Sequence, residues 1–211
     1  MLFRSNDGTT TDVDTIQLNI GAVSDAPVNS VPAAQTFNED VSRTFSTGVG
    51  NLISVSDPDG GSLTAYTIAV SNGTLTLAQT TGLTFSVGDG TSDATMTFSG
   101  TVANINAALA GLVYAPTANY NGTDTITVTA NDGSTTDVDT IQLNITAVSD
   151  APVNSVPAAQ TFNEDVSRTF STGAGNLISV SDPDGGSLTA YTIAVSNGTL
   201  TLSQTTGLTF S

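Results

Sequence analysis

The chain has 211 residues, with 19 carboxylates against three arginines and neither lysine nor histidine, for a formal net charge of −16. Nucleic acid and anionic membrane surfaces repel such a chain, and multivalent cations are its natural counter-charge. With no Cys, His or Lys it can build no disulfide, thiolate or imidazole metal site, His-based triad or Schiff base.

Hydrophobic residues make up 38% of the chain and fall into alternating runs, the mark of folded β structure rather than acidic disorder. No apolar run approaches the roughly 20 residues of a membrane span. The opening "MLFRSNDG" lacks the apolar segment of a signal peptide, so the expectation is a segment of a longer protein.

Residues 6–86 and 131–211 align without a gap, and of these 81 pairs only four differ: Thr9/Ser134, Gly21/Thr146, Val49/Ala174 and Ala78/Ser203. The period of 125 residues is the size of one ordinary domain and too long for a solenoid unit. It divides the chain into a C-terminal strand remnant of one repeat (1–24), a complete repeat (25–149) and the first half of the next (150–211).

Along the complete repeat, "LTAYTIAVSNGTLTLAQ" sets Asn72-Gly73 between two alternating runs, which predicts a tight hairpin. That turn would place Val70 opposite Leu75 and Ile68 opposite Leu77. A strand follows at 94–98. In 99–116, Val102, Ile105 and Leu109 take helical spacing, with Thr101 as N-cap and Gly111 as stop. Two more strands, 124–130 and 139–146, present Ile126 and Val128, then Ile141, Leu143 and Ile145, each set on one face. The expected fold is all-β: tandem antiparallel sandwich domains with one short helix per repeat.

The complete repeat carries eleven carboxylates against Arg43. For Asp89, Asp93, Asp124, Asp137 and Asp139 the expected role is that of a turn residue or a solvated strand start. The loop "SVSDPDGGS", at 54–62 and again letter for letter at 179–187, is different. Asp-x-Asp-Gly aims two carboxylates at one point, and oxygen ligands without His or Cys select Ca²⁺.

The succession "NED", "SDPDGGSLTAYTI", "VTANDG", "IQLNITAVSDAPV" resembles the cadherin-like repeats of large bacterial surface adhesins. The helix stretch with "GLVYAPTANYNGTDTI" is similar to chondroitin-sulfate-proteoglycan-type repeats. The resemblance implies an Ig/cadherin-like sandwich and Ca²⁺ between successive domains. It groups Asp25 with Asp57, Asp59 and Asp132 at the first junction, and Glu39 with Asp150, Asp182 and Asp184 at the second. The linker "AVSDAP" has one Asp where cadherins have several Asp and Asn ligands, and no Asp-Arg-Glu motif occurs, which implies fewer ions per junction.

The functional expectation is a non-enzymatic, calcium-rigidified spacer of a secreted bacterial surface protein supporting adhesion or biofilm formation. Its partners would be neighbouring repeats of the same chain and cell-surface or matrix glycans, with no nucleic acid and no membrane insertion in this segment. The alternative is a carbohydrate-binding module. The absence of Trp, and tyrosines placed in motif or strand positions (Tyr66, Tyr114, Tyr120, Tyr191), disfavour it and disfavour a glycosidase. Ice binding through Thr-x-Thr runs is weaker still, because Thr favours exposed strand faces anyway. The Asn-x-Thr sequons at 72, 121, 144 and 197 would be acceptors only in a eukaryotic secretory setting.

Overall fold

The computed structural model describes residues 1–210, which divide into two compact units, Met1–Ala147 and the residues from Val148 onward. In the first unit the strands are β1 (Leu2–Asn6), β2 (Thr11–Thr15), β3 (Val28–Ser30), β4 (Gln35–Asn38), β5 (Arg43–Phe45), β6 (Ser54–Ser56) and β7 (Ser62–Ala69). There follow β8 (Gly73–Thr76), β9 (Leu83–Val87), β10 (Thr95–Thr101), helix α1 (Val102–Leu109), β11 (Leu112–Pro116), β12 (Gly122–Asn131) and β13 (Thr136–Thr146). One sheet runs β4-β13-β12-β7-β10-β9, a second runs β5-β11-β8, and β3 pairs with β6. The fold is an all-β sandwich with one short α-helix among the described residues. All pairings are antiparallel except β4 with β13, which is parallel, a departure at one edge from the antiparallel expectation.

The alternation read from the sequence supplies the core. Ile126, Val128 and Ala130 of β12 and Ile141, Leu143 and Ile145 of β13 are buried against Phe45, Leu75, Leu112 and Tyr114 of the facing sheet. Each large side chain removed from water contributes about 1.5–3 kcal/mol. Phe85, Phe98 and Tyr66 stack as a tilted row, with neighbouring centroids 5.3 and 5.7 Å apart. Helix α1 forms where its spacing predicted. The Thr101 side chain accepts from Asn104 N–H, and Ile105, Ala108 and Leu109 point into the core. Asn106 then ties the helix to β6, accepting from Val55 N–H and donating to Val55 C=O, both at 2.8 Å.

The Asn72-Gly73 segment is not a hairpin turn. Strand β7 pairs with β10 and β12, whereas β8 pairs with β11 in the other sheet, so the chain changes sheets here. Val70 and Leu75 are both buried but belong to opposite walls of the same core. Neither Asn72 nor Gly73 has a positive φ, which a type I′ turn requires. Glycine is needed for space instead: a Cβ on Gly73 would lie 2.5 Å from Ala115 C=O and 2.7 Å from the Tyr114 ring.

Within residues 1–24, β1 and β2 form a two-stranded ribbon rather than a single donated strand. Its register, Asn6↔Thr11, repeats the Asn131↔Thr136 start of the β12–β13 pair, although residues 1–5 have no sequence likeness to 126–130. The Asn-Asp-Gly turn fixes the pairing, with Asp7 Oδ1 accepting from Thr9 and Thr10 N–H.

In the second unit, β14 (Val153–Ser155) pairs with β15 (Ser179–Ser181). Among the described residues of that unit no hydrophobic side chain is buried, and Phe162, Phe170, Leu177 and Val195 stand exposed. One local latch is nevertheless repeated. Asn51 accepts from Ser46 N–H and donates to Gln35 and to Thr44 C=O, and Asn176 does the same with Ser171, Gln160 and Thr169. No helix among the described residues is long and apolar enough to cross a membrane.

Candidate functional site

The linker before β3 meets two acidic turns. Asp25 N–H donates to Asp59 Oδ2 at 2.6 Å, and Ser24 Oγ donates to Asp132 Oδ2 at 3.2 Å. Asp59 N–H in turn donates to Asp57 Oδ1 at 3.0 Å, and Gly60 closes the Asp-Pro-Asp-Gly turn with a positive φ of 70°. The first group expected from the sequence (Asp25, Asp57, Asp59, Asp132) is therefore joined through the linker. Its carboxylates do not converge closely. Among the described residues of the first unit, no three acidic side chains bring ligand oxygens within 4.8 Å of one another. Carboxylates here instead accept from backbone donors: Asp59 from Asp25, Asp57 from Asp59, and Asp132 from Ser134 and Thr135.

Asp132 illustrates this. Thr135 N–H and then Ser134 N–H hold its carboxyl at a pKa of about 2, because hydrogen bonds to the charged form favour it. Asp7, at the same place in the preceding turn, is held well below the ordinary range by Thr10 and Thr9.

The second unit repeats the linker contact. Asp150 N–H donates to Asp184 Oδ2 at 2.7 Å and Asp184 N–H to Asp182 Oδ1 at 3.1 Å. Glu39 belongs to the first unit. It is buried just beyond β4, its N–H donates to Thr146 C=O, and Asn121 Nδ2 approaches its Oε2 at 3.4 Å.

Two residues assigned to turns or strand starts do more. Asp124 is buried within β12. It accepts from Ser71, Asn72 and Thr125 N–H and from the Tyr114 hydroxyl, which also lies 2.7 Å from Asn72 C=O. This network fixes the sheet-to-sheet crossing, and burial followed by the Asp124 bond pushes the Tyr114 phenol upward. Asp137 is not a merely solvated turn residue either. Its Oδ2 accepts from Asn29 N–H at 2.7 Å, and its C=O accepts from Asn29 Nδ2 at 3.0 Å. The available signal for both was parity: Asp124 shares the inward phase of Ile126, and Asp137 and Asp139 share that of Ile141. By contrast Asp93 is a turn residue as expected, its Oδ2 accepting from Asp89 and Gly90 N–H.

Residues 62–141 match the sequence model of the family described as Protein GAMETE EXPRESSED 2 domain. No curated protein matches the chain. Among solved structures it is similar to domains 4 and 5 of the S-layer protein SbsC, at 15% identity and TM-score 0.27, covering 68% of this chain and 56% of that one. Domains 1–6 of the same surface layer protein give 13% identity and TM-score 0.28, covering 72% of this chain and 17% of that one. A chimeric titin Z1Z2 carrying an exogenous peptide from decorin gives 15% identity and TM-score 0.26, covering 60% of this chain and 100% of that one. The chain thus spans less than two thirds of either S-layer structure, and likenesses this distant carry no functional argument.

Proposed function

We propose that this chain is a spacer segment of a large extracellular bacterial surface protein, built of tandem sandwich repeats that Ca²⁺ stiffens at their linkers in support of adhesion or biofilm formation. The supporting observation is the linker contact, in which Asp25 and Asp150 each place their N–H on the second carboxylate of an identical Asp-Pro-Asp-Gly turn. That contact brings the linker onto the loop a cation would bridge. Oxygen ligands alone, in irregular turn geometry, suit Ca²⁺ and not Mg²⁺, which holds to an octahedron and keeps its waters. Glu39 enters this reading on the sequence resemblance alone, as a ligand for the following linker. With eleven carboxylates and one arginine per complete repeat, bare repeats repel one another, and a bound cation removes that repulsion.

Calcium titration of the chain tests the reading. Ca²⁺ is expected to raise the thermal midpoint and narrow the distribution of scattering-derived lengths, with Mg²⁺ weaker. A ligand held only by the folded state at 100 times its dissociation constant adds about 2.7 kcal/mol. Replacing Asp57 and Asp59 by Asn should remove much of the effect at the first linker. If chelator changes neither midpoint nor length, these loops are only turns.

A further inference from the structure

Apart from the linker turns, two buried oxygens in the complete repeat lack any hydrogen-bond partner: Asn29 Oδ1 and the Tyr66 hydroxyl. Asn29 is 7% exposed and Tyr66 0%. A native interior rarely leaves such atoms unsatisfied unless a water or an ion fills the gap. Both belong to one corner of the sandwich. Ala130 of β12 has Tyr66 as its partner on β7 and Asp137 as its partner on β13. The three therefore form one cross-strand row, on the core side of the sheet. Val128, two residues away, pairs with Asp139 in the next row. Asn29 covers the end of these rows through its two hydrogen bonds to Asp137. The negative charges of Asp139 and Asp137 add to burial in pushing the Tyr66 phenol upward.

The donor set is a carboxamide oxygen, a phenol oxygen and two half-buried carboxylates, with no basic group to balance them. Arg43 is engaged with Gln35, at 3.2 and 2.7 Å. A water molecule at either orphan oxygen would satisfy it but leave both carboxylates uncompensated. A hard cation does both, and mixed neutral and anionic oxygens in irregular geometry are what Ca²⁺ accepts.

We propose that Asn29, Tyr66, Asp137 and Asp139 form a binding site for a calcium-class cation, one per complete repeat and separate from the Asp-Pro-Asp-Gly turns. The constellation is complete once in this chain. Asp12 and Asp14 repeat the two carboxylates without the other members, and Asn154 and Tyr191 repeat the neutral ones without the carboxylates.

The test uses Tb³⁺, a luminescent substitute for Ca²⁺ whose emission is sensitised by a nearby tyrosine; the chain has no Trp to compete. Tb³⁺ added to the whole chain should give sensitised emission that Ca²⁺ displaces. Tyr66→Phe should abolish most of that emission while calorimetry still shows binding. Asp139→Asn should weaken the site by at least the roughly 10–100-fold that loss of an outer-shell partner costs and, without metal, leave the thermal midpoint unchanged or raised through relief of repulsion. Asp57→Asn with Asp59→Asn should leave the Tyr66-dependent emission intact, so that failure of the linker reading and failure of this one are separable. Emission indifferent to both Tyr66→Phe and Asp139→Asn overturns the site, as does sensitised emission lost only with the turn substitutions. A corner that binds no cation, its orphan oxygens held by water, overturns it equally.

Discussion

Asp124 draws three backbone N–H groups and a phenol onto one carboxylate. Asp124→Ala would strand the N–H donors of Ser71 and Asn72 at a buried corner and remove one of the two acceptors of the Tyr114 hydroxyl. The expected cost is about 3 kcal/mol, measured as a shift in denaturant midpoint at constant m-value. Tyr114→Phe, which removes one partner only, should cost about 1 kcal/mol. Asp132 gives the pH prediction. Its folded pKa of about 2 lies below the unfolded value near 3.9. Its contribution is therefore fully present above about pH 4 and disappears as pH falls from there through about 2. Carboxyl chemical shifts followed by NMR during acid titration should show Asp132 as one of the last carboxylates to protonate.

Helix α1 and the Gly73 crossing are the elements most open to test. Thr101→Ala removes the acceptor for Asn104 N–H and should cost about 1 kcal/mol. Gly73→Ala is expected to cost about 2–3 kcal/mol by overpacking, because its Cβ would meet backbone oxygen at 2.5 Å and backbone cannot swing aside. A tight hairpin would instead have required a positive φ at Gly73, where Asn is tolerated and Ala costs less, about 1–2 kcal/mol. Equal stability of Gly73→Ala and wild type would therefore contradict the crossing.

Across the whole molecule, residues 63–86 and 188–211 are the same sequence but for Ala78/Ser203, yet among the described residues only the first set has strand partners. β7 lies between β10 and β12. Among the described residues of the second unit the strand pairing is β14 with β15, and most of its large hydrophobic side chains, among them Tyr191, Ile193, Val195 and Leu200, stay exposed. Amide hydrogen exchange should show strong protection at 63–86 and little at 188–210, since protection tracks the free energy of opening. Comparable protection of the two would mean that the second copy finds strand partners elsewhere.

The sequence by itself determined the β class, the 125-residue period, helix α1 with its Thr101 cap, and the inward faces of β12 and β13. Each of these depends on neighbours a few residues apart: alternation, i to i+3 spacing and local capping are physical rules of short range. It also singled out the Asp-Pro-Asp-Gly turns, because Gly and Asp constrain the backbone where they stand. Tertiary structure alone decided that Asn72-Gly73 changes sheets, since a turn and a crossing offer the same local pattern and differ only in whether β8 bonds back to β7 or to the distant β11. Parity marked Asp124 and Asp137 as inward, but their partners were hidden, because an aspartate at an inward position is stable only when donors some 50 or 100 residues away reach it, from Ser71 and Asn72 in one case and from Asn29 in the other.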